Sequence, residues 1–360
     1  MVGIDIDPGV AALGNPRLIE RIISEMDGGA IPFERFMELA LYDPDYGYYR
    51  KPGRVGKDGD FLTSPAIHPM FGWAVAGWCR WVWQQLGEPR EFTIFEPGAG
   101  QGQLASAILD WAEGRNDGFR DALRYVAIEP NARGHDDRVE WASPPVAAVG
   151  AGVVVANELF DAFPVRLFEG TARGPVEILV RWDGTQFAEV HGVVTTIDEA
   201  PTEGRFEVNQ YAYPAMRSLC GLVERGAVLV FDYGYLQEEL WADWRRNGTL
   251  MAFYRHTAHE NPYIHIGEQD LTTHVNFSEL ATAAEEEGFA VSGPARQSAV
   301  LARLGLLELV EDARGQMAEY FARRRAFEQL TDPGGLGRIN VLAARRGFDA
   351  MLPGFEEDTA

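Results

Sequence analysis

The stretch TIFEPGAGQGQLASAIL, residues 93–109, determines the fold class of this chain. A short apolar run ends in an acid, Glu96, and glycines then occupy every second position, at Gly98, Gly100 and Gly102. The residues from 103 to 112 have the apolar spacing of a helix. A strand, a glycine-rich turn and a helix in this order open a βαβ unit, because glycine lets the backbone turn tightly and approach a ligand closely.

The glycine spacing also bears on the ligand of this turn. The dinucleotide fingerprint, Gly-x-Gly-x-x-Gly, places a pyrophosphate on a helix N-terminus, and here the third glycine comes one residue earlier. Glu96 would repel a pyrophosphate and attract a cation. A second predicted strand ends in Glu129, whose carboxylate can accept hydrogen bonds from both hydroxyls of a ribose. The pattern favours S-adenosylmethionine (SAM), which is cationic and has no phosphate, over NAD; the alternative is a structural turn with two solvated acids.

Strands and helices alternate along the chain. The predicted strands cover residues 91–96, 123–129, 138–142, 152–158, 226–234 and 338–346. The predicted helices cover residues 15–27, 32–41, 72–87, 103–112, about 211–224, 277–287 and about 295–330. This alternation implies a mostly parallel sheet. Two excursions interrupt it, and the first holds short strands in VRLFEG, PVEILVRWDG and QFAEVHG with a hairpin turn at Asp183–Gly184.

The length of 360 residues allows two domains, at roughly 100–200 residues each. We expect an N-terminal helical region with a lid over the cofactor loop at residues 1–88 and a catalytic core at residues 89–346. Insertions at about 165–208 and 236–276 would form a substrate cap, and residues 347–360 an acidic tail that frays at its end.

Composition excludes several functions. The formal net charge of −22 opposes binding to nucleic acid; it favours a cationic substrate or reflects solubility alone. No apolar run is long enough to span a membrane, and no leader pattern is present, which predicts a cytoplasmic protein. Lysine occurs only at Lys51 and Lys57, a bias that suggests a GC-rich bacterial genome.

Cys79 and Cys220 are far apart, so we expect buried free thiols rather than a disulfide framework or a cysteine zinc site.

Six stretches together resemble the MidA family of SAM-dependent methyltransferases. They are FMELALYDPDYGYYR (36–50), GDFLTSPAIHPMFG (59–72), FEPGAGQGQL (95–104), ANELFDAFPVRLF (156–168), FDYGY (231–235) and HIGEQDLTTHVNFSEL (265–280). The resemblance covers roughly residues 31–345 in the expected order. The mitochondrial member of that family is a respiratory complex I assembly factor that dimethylates an arginine, and the bacterial members mostly lack an assigned substrate.

The resemblance implies an α/β fold of class I methyltransferase type, with a Rossmann-like seven-stranded sheet whose last strand is antiparallel. Insertions and N-terminal helices would build a second, smaller substrate-covering region. SAM would be the cofactor. The family's SAM-binding positions fall on Glu96, Gly98, Gly100, Gly102 and Glu129, and on Asp60, Thr63, Ser64 and Pro65. The chain departs from the family pattern at Ala66, where an acid is usual, and in PNARGHDD (130–137).

The predicted catalytic residues, Asn157, Glu158 and Asp161, follow the fourth strand. Methyl transfer is an in-line displacement that depends on positioning, and open α/β sheets bind ligands at the carboxyl ends of their strands. Carboxylates can hold a guanidinium acceptor bidentately, with Asp60 assisting. The alternative is that Asn157 and Asp161 cap a helix and tie the loop.

Two other groups of residues allow two interpretations each. Thr63, Ser64 and Pro65 can line the SAM carboxylate or cap the tryptophan-rich helix that follows. The rings of YGYY (46–49) can line an acceptor channel through cation–π contacts or pack in the core.

Four histidines, His256, His259, His265 and His274, lie in one short region. The His-x-x-His pair at His256 and His259 allows a zinc site, but it lacks the helix and the glutamate of the zincin pattern. The alternatives are a general base for an oxygen acceptor and hydrogen-bonded loop residues.

Three hypotheses for the function follow. The first is methyl transfer to a protein arginine. The second is O- or N-methylation of a small molecule, which the histidines and Ala66 favour. The third is a non-catalytic assembly factor. The aromatic N-terminal region also offers a surface for a homodimer.

Overall fold

The computed structural model describes residues 13–50, 63–115, 117–129 and 136–356, which form two compact units. The large unit comprises Leu62–Leu159, Tyr213–Gly234 and Phe277–Ala360, and the small unit comprises Met1–Phe61, Phe160–Ala212 and Tyr235–Asn276. Asp60 lies outside the described residues, as does most of the divergent segment after Glu129.

The elements are numbered in chain order. The helices are α1 (Pro16–Met26), α2 (Phe33–Tyr42), α3 (Ser64–Ile67), α4 (Met70–Gln85), α5 (Gln103–Glu113), α6 (Gly118–Ala122), α7 (Ala212–Cys220), α8 (Gln237–Leu240), α9 (Phe277–Glu286), α10 (Gln297–Arg303), α11 (Leu306–Glu311) and α12 (Met317–Thr331). Short 3-10 turns occur at Tyr48–Arg50 and Leu336–Arg338.

The strands are β1 (Ala30–Pro32), β2 (Phe92–Pro97), β3 (Leu123–Ile128), β4 (Val139–Ala142), β5 (Val149–Asn157), β6 (Arg166–Gly170), β7 (Val176–Trp182), β8 (Phe187–Val194), β9 (Gly204–Val208), β10 (Val223–Asp232), β11 (Gly234–Tyr235), β12 (Met251–Tyr254), β13 (Thr257–His259), β14 (Asp270–Thr272), β15 (Val275–Asn276), β16 (Ala290–Arg296) and β17 (Asn340–Arg346). The strands β11 and β15 pair with each other.

The large unit contains a seven-stranded sheet in the order β16-β17-β10-β5-β2-β3-β4. The five strands from β10 to β4 are parallel to one another, and β17, the last strand in the chain, runs antiparallel to both of its neighbours. The sequences of the central strands are continuous apolar runs, because helices cover a parallel sheet on both faces. In β5 the residues from Ala151 to Ala156 are all buried. The predicted fold class is confirmed.

The tryptophan-rich helix α4 and the helix α5 pack together beside this sheet. Trp78 and Trp83 are 1% and 3% exposed and belong to the same core as the β2 and β5 side chains. Cys79 and Cys220 are free and buried, as expected, and burial raises the pKa of both thiols above the ordinary value.

Two elements in the last third of the chain differ from the prediction. The strand β16 was not predicted, because its residues are partly exposed and include Gly293 and Pro294 rather than an apolar run. The predicted helix over about 295–330 is three helices, and the first break lies at Gly305, whose φ of 81° favours glycine. Leu352, within the predicted acidic tail, is fully buried in the core.

The small unit has a five-stranded sheet in which β7 pairs with β8 on one edge and with β6 and β1 on the other. The predicted strands β6, β7 and β8 are confirmed, whereas β1 and β9 were not predicted. The hairpin turn is also confirmed: the Asp183 N–H donates to the Gln186 oxygen, and Asp183 Oδ1 accepts from the backbone of Thr185 and Gln186.

A second hydrophobic core belongs to the small unit. Leu18, Ile22, Phe33 and Phe36 of α1 and α2 are fully buried with the side chains of β6 and β7. Residues 13–50 thus group with both insertions, whereas residues 63–88, which we had placed in the N-terminal region, group with the large unit. That the small unit covers a substrate stays a prediction.

Candidate functional site

The glycine loop follows β2 at the carboxyl end of the parallel strands. Gly98, Gly100 and Gly102 have φ angles of 70°, 54° and 78°, in the left-handed region that favours glycine. A Cβ on Gly102 would lie 3.0 Å from the ring of Trp141, whereas a Cβ on Gly100 would have no protein atom within 4 Å. The backbone at Gly100 therefore faces open space that a ligand can approach closely.

Glu96 lies at the end of β2 and is 5% exposed. The Tyr125 hydroxyl donates to Glu96 Oε2 at 2.7 Å. Burial raises the pKa of Glu96 to about 8; the Tyr125 hydrogen bond opposes this shift and the charge of Glu129 adds to it. Sequence analysis missed Tyr125, although a polar group within an apolar strand is a visible signal.

Glu129 follows β3, the strand that pairs with β2. Its N–H donates to the Ala142 oxygen at 3.0 Å, which fixes the backbone at this strand end, and the residue is half-buried. Two acids at neighbouring strand ends, together with an open glycine loop, fit the cationic groups and the ribose of SAM.

Glu158 follows β5 in a conformation that is rare for its residue type. Its φ is 49°, and left-handed backbone costs about 1–2 kcal/mol for a residue with a Cβ. Neighbouring groups of the large unit hold it there. The Glu158 N–H donates to the Phe231 oxygen at 2.8 Å, and the next N–H, of Leu159, donates to Asp232 Oδ2 at 3.1 Å. Asp232 thus bonds the turn that follows β5.

The Glu158 side chain is held as firmly as its backbone. Glu158 Oε1 accepts hydrogen bonds from the Ser64 N–H and from Asn157 Nδ2, each at 3.2 Å. Asn157 Oδ1 is buried and has no hydrogen-bond partner among the residues that the structure describes. Because a buried acceptor without a partner is costly, Asn157 Oδ1 is a natural contact for a ligand N–H.

The segment Thr63–Pro65 starts the short helix α3, so these residues do not cap the tryptophan-rich helix α4. Ser64 is fully buried, and its hydroxyl donates to Gln297 Oε1 at 3.1 Å. Gln297 Nε2 in turn donates to the oxygens of Leu330 and Leu336. The Ser64 backbone N–H therefore reaches Glu158 from a rigid, buried position. Sequence analysis missed Gln297, which carries no motif signal.

Asp161 belongs to the small unit, whereas Asn157 and Glu158 belong to the large unit. Its carbonyl oxygen accepts from the Thr273 N–H at 2.9 Å, and the residue is 6% exposed. No helix begins between Glu158 and β6, so the interpretation of Asn157 and Asp161 as helix caps was wrong. Asp161 does tie the loop through its backbone.

The histidine region forms aromatic contacts within the small unit. His265 has a φ of 50° and stacks on Tyr254 with ring centroids 3.9 Å apart, and His259 lies 6.2 Å from His265. Burial lowers the pKa of His265. Among the residues that the structure describes, no group of three or more His, Cys, Asp or Glu could hold a metal ion. A catalytic role for a histidine stays a prediction.

No helix in the described part of the chain is long and apolar enough to cross a bilayer.

Comparison with known proteins identifies the relatives of this chain. A family model for S-adenosyl-L-methionine-dependent methyltransferases matches residues 74–295. The mitochondrial protein arginine methyltransferase NDUFAF7 homolog of Drosophila melanogaster is 27% identical over 91% of this chain and 82% of its own length. Human NDUFAF7, also named a mitochondrial protein arginine methyltransferase, is 25% identical over 90% of this chain and 80% of its own length. A crystal structure from Burkholderia thailandensis with bound S-adenosyl-homocysteine has a TM-score of 0.87 and 28% identity over 99% and 98% of the two chains.

Proposed function

This chain belongs to the family of S-adenosyl-L-methionine-dependent methyltransferases, as its motifs led us to expect, and we propose that it methylates an arginine side chain of a protein. The curated relatives named above are protein arginine methyltransferases and align over most of this chain. SAM supplies the methyl group as a sulfonium electrophile. What the chain must supply is a carboxylate that orients a guanidinium nitrogen.

The fixed carboxylate of Glu158 carries this proposal. Backbone strain at a functional position persists only when the surroundings determine the conformation, and four hydrogen bonds hold Glu158, its side chain and the next residue. A carboxylate at a strand end can accept two N–H bonds from a guanidinium. It then favours positive charge on the nitrogens that do not react.

The atoms and charges of methyl transfer from SAM to arginine balance. The free guanidinium nitrogen forms the new bond to the methyl carbon, the carbon–sulfur bond breaks, and the sulfur leaves as a neutral thioether. The attacking nitrogen releases one proton to solvent, and the methylated guanidinium keeps its charge. We assign Glu158 to holding the guanidinium and Asn157 Oδ1 to accepting an N–H of a ligand. Glu96 and Glu129 would contact SAM with the loop glycines Gly98, Gly100 and Gly102.

The test is the Glu158→Gln variant. The amide oxygen can still accept from Ser64 and Asn157, but the negative charge is lost. We expect methyl transfer to fall about 100-fold or more, as for loss of a charged orienting group, with SAM affinity within about twofold of the wild type. The matched control is Glu88→Gln, because Glu88 also has a positive φ, 55°, but lies in an exposed turn. Equal turnover in the Glu158 variant and the wild type would overturn the proposal.

The acceptor class is tested with labelled SAM and cell extract from a strain that lacks this gene. Precipitated proteins are hydrolysed in acid and the amino acids separated. Label in methylated arginine supports the proposal. Label confined to the small-molecule fraction supports a small-molecule O- or N-methyltransferase instead, and a protein that does not bind SAM would be a non-catalytic assembly factor.

Two further proposals rest on the sequence alone. The arginine-rich, lysine-poor composition supports a bacterial source, and the aromatic N-terminal region supports a homodimer. Sedimentation of the purified protein tests the second.

A further inference from the structure

Tyr125 of β3 places a hydroxyl group in the hydrophobic core of the large unit. The residue is 1% exposed and belongs to the same core as the apolar side chains of β2, α4 and α5. A buried phenol oxygen costs free energy unless it has a hydrogen-bond partner, and a phenylalanine would fill the same space without that cost. Packing alone therefore does not account for a tyrosine at this position.

The pairing of β2 with β3 brings this hydroxyl to Glu96. In the parallel register Tyr125 lies opposite Ile94, two positions before Glu96. Side chains two positions apart on a strand lie on the same face of the sheet, so Tyr125 and Glu96 are diagonal neighbours on one face. The tyrosine side chain spans this offset, and its hydroxyl donates to Glu96 Oε2 at 2.7 Å.

This hydrogen bond occupies one oxygen of the Glu96 carboxyl group and leaves the other to a ligand. Among the residues that the structure describes, Tyr125 is the one hydrogen-bond donor to the Glu96 side chain. Glu96 lies at the end of β2, directly before the glycine loop, and is 5% exposed. A short bond from a phenol to a carboxylate is strong, so it restricts the rotation of the carboxyl group and keeps Oε1 in one place.

Two other titratable groups act on this pair, Glu129 at the end of β3 and Cys79 of α4. Burial raises the pKa of Glu96, the Tyr125 hydrogen bond lowers it, and the charge of Glu129 raises it further. Burial raises the pKa of the Tyr125 phenol, as do Glu96 and Cys79, so the phenol keeps its proton and remains a donor. The pKa of the Cys79 thiol is also raised by burial, and this neighbour is therefore neutral.

We propose that Tyr125 is a positioning residue for SAM: its hydroxyl fixes one oxygen of Glu96 so that the other can accept a hydrogen bond from the cationic part of SAM. The inference goes beyond arginine methylation, since it concerns the binding of the cofactor alone, and it rests on the assignment of Glu96 to SAM. A hydroxyl donates more strongly to an ionised carboxylate than to a neutral acid, so Tyr125 also favours the form of Glu96 that binds a cation.

The test is isothermal titration of the full chain with SAM between about pH 6 and pH 9, for the wild type and for Tyr125→Phe. The variant keeps the buried ring and loses only the hydroxyl, so the core stays filled. Without the hydrogen bond the pKa of Glu96 should rise further, and a smaller fraction of the protein has the ionised carboxylate. We expect the dissociation constant of the variant to be about tenfold higher at pH 6–7 and only about twofold higher at pH 9.

The change of this ratio with pH separates positioning from packing. The titration of SAM itself cancels, because the same ligand is used with both proteins. A tyrosine that only fills the core would lower the melting temperature and leave SAM affinity unchanged, or weaken it by the same factor at every pH. Either result would overturn the inference.

The matched control is Tyr213→Phe in the same unit. The Tyr213 hydroxyl also donates to a carboxylate, that of Glu286, but this bond lies on the exposed surface. We expect SAM affinity to stay at the wild-type value at every pH. If this variant shows the same pH-dependent loss as Tyr125→Phe, the loss does not come from Glu96 and the inference is wrong.

A double variant tests whether Tyr125 acts through Glu96. In Glu96→Gln the amide oxygen can still accept from Tyr125, but no carboxylate remains to be ionised. Adding Tyr125→Phe to Glu96→Gln should therefore change SAM affinity by about twofold or less. A loss as large as in the wild-type background would mean that the phenol acts without Glu96, which contradicts the positioning role.

Failure of this inference and failure of the proposed function are distinguishable, because none of these titrations uses a methyl acceptor. A pH-dependent ratio, without any methylated arginine in the extract experiment, supports the role of Tyr125 and overturns arginine methylation. A flat ratio together with methylated arginine overturns the role of Tyr125 and supports the function.

Discussion

Glu96 is the acid whose chemistry depends most on the fold around it. In sequence it is one carboxylate after an apolar run, and its pKa would be near 4.5. In the structure, burial raises that pKa to about 8, so the carboxyl group is mostly protonated at pH 7 in the free protein. A ligand with a positive charge would bind the ionised form better, because the charge pair offsets the desolvation of the carboxylate.

SAM affinity should therefore increase with pH. Below pH 8 the ionised fraction of Glu96 rises about tenfold per pH unit, and above pH 8 it levels off. If Glu96 contacts the cationic part of SAM, the dissociation constant should fall in the same way between about pH 6 and pH 8, as measured by isothermal titration calorimetry.

The control is Glu96→Gln, which can still accept from Tyr125 and should give a flat pH profile. The dependence of folding stability on pH gives an independent check on the protein without SAM. A folded-state pKa above the unfolded value means that stability is fully present below about pH 4.5 and is lost as pH rises towards about 8. The Gln variant should lack this loss. A pH-dependent SAM affinity that persists in Glu96→Gln would assign the titration to another group.

Sequence reasoning found these acids but not their partners. Glu96 and Glu158 are visible because each ends an apolar run, and a strand end is where an open α/β sheet binds ligands. The contacts that set their properties join distant parts of the chain. Ser64 and Gln297, which fix the N–H that reaches Glu158, are 233 residues apart. Nothing local in the sequence encodes such a pair.

At the scale of elements, most of the strands that the sequence predicted have buried, apolar residues. Six strands of the large sheet were found from their apolar runs, and the strand β16 was missed because its residues are partly or fully exposed and include Gly293 and Pro294. The helix prediction over about 295–330 followed composition and ran through Gly305, where a left-handed backbone starts a new helix. Edge position and helix breaks are set by tertiary contacts.

The start of α5 gives a prediction at this scale. Gly102 combines a φ of 78° with a Trp141 ring that would lie 3.0 Å from a Cβ, so Gly102→Ala should suffer both backbone strain and overpacking. We expect a loss of unfolding free energy of about 2–4 kcal/mol, measured by denaturant titration.

Gly87→Ala is the matched comparison in the same unit. Gly87 has a φ of 81° but no atom within 4 Å of an added Cβ, so only the backbone cost of about 1–2 kcal/mol remains. Equal losses in the two variants would show that the Trp141 contact relaxes without cost.

The whole molecule shows why domain boundaries were hard to read from sequence. Each unit is assembled from three separate stretches of chain, and each has its own buried core. The insertions were recognisable as interruptions of the strand and helix alternation. Residues 63–88 carried no such signal, because membership of a unit is decided by which core their side chains join. Trp78 and Trp83 join the core of the large sheet.

Net charge supplies the last prediction, at the scale of the whole molecule. A formal charge of −22 attracts a basic acceptor over a distance set by the ionic strength. The Debye length falls from about 30 Å at 0.01 M to about 8 Å at 0.15 M salt. For a peptide whose target arginine is flanked by basic residues, KM should therefore rise by on the order of tenfold over this range while kcat stays constant.

A peptide with the same arginine and acidic flanks is the control, and its KM should stay level or fall as salt screens the repulsion. The comparison decides between two meanings of the charge. If KM responds to salt with opposite sign for the two peptides, the acidic surface recruits basic substrates. If neither peptide responds, the charge serves solubility alone, and recognition of the acceptor must come from short-range contacts such as those of Glu158.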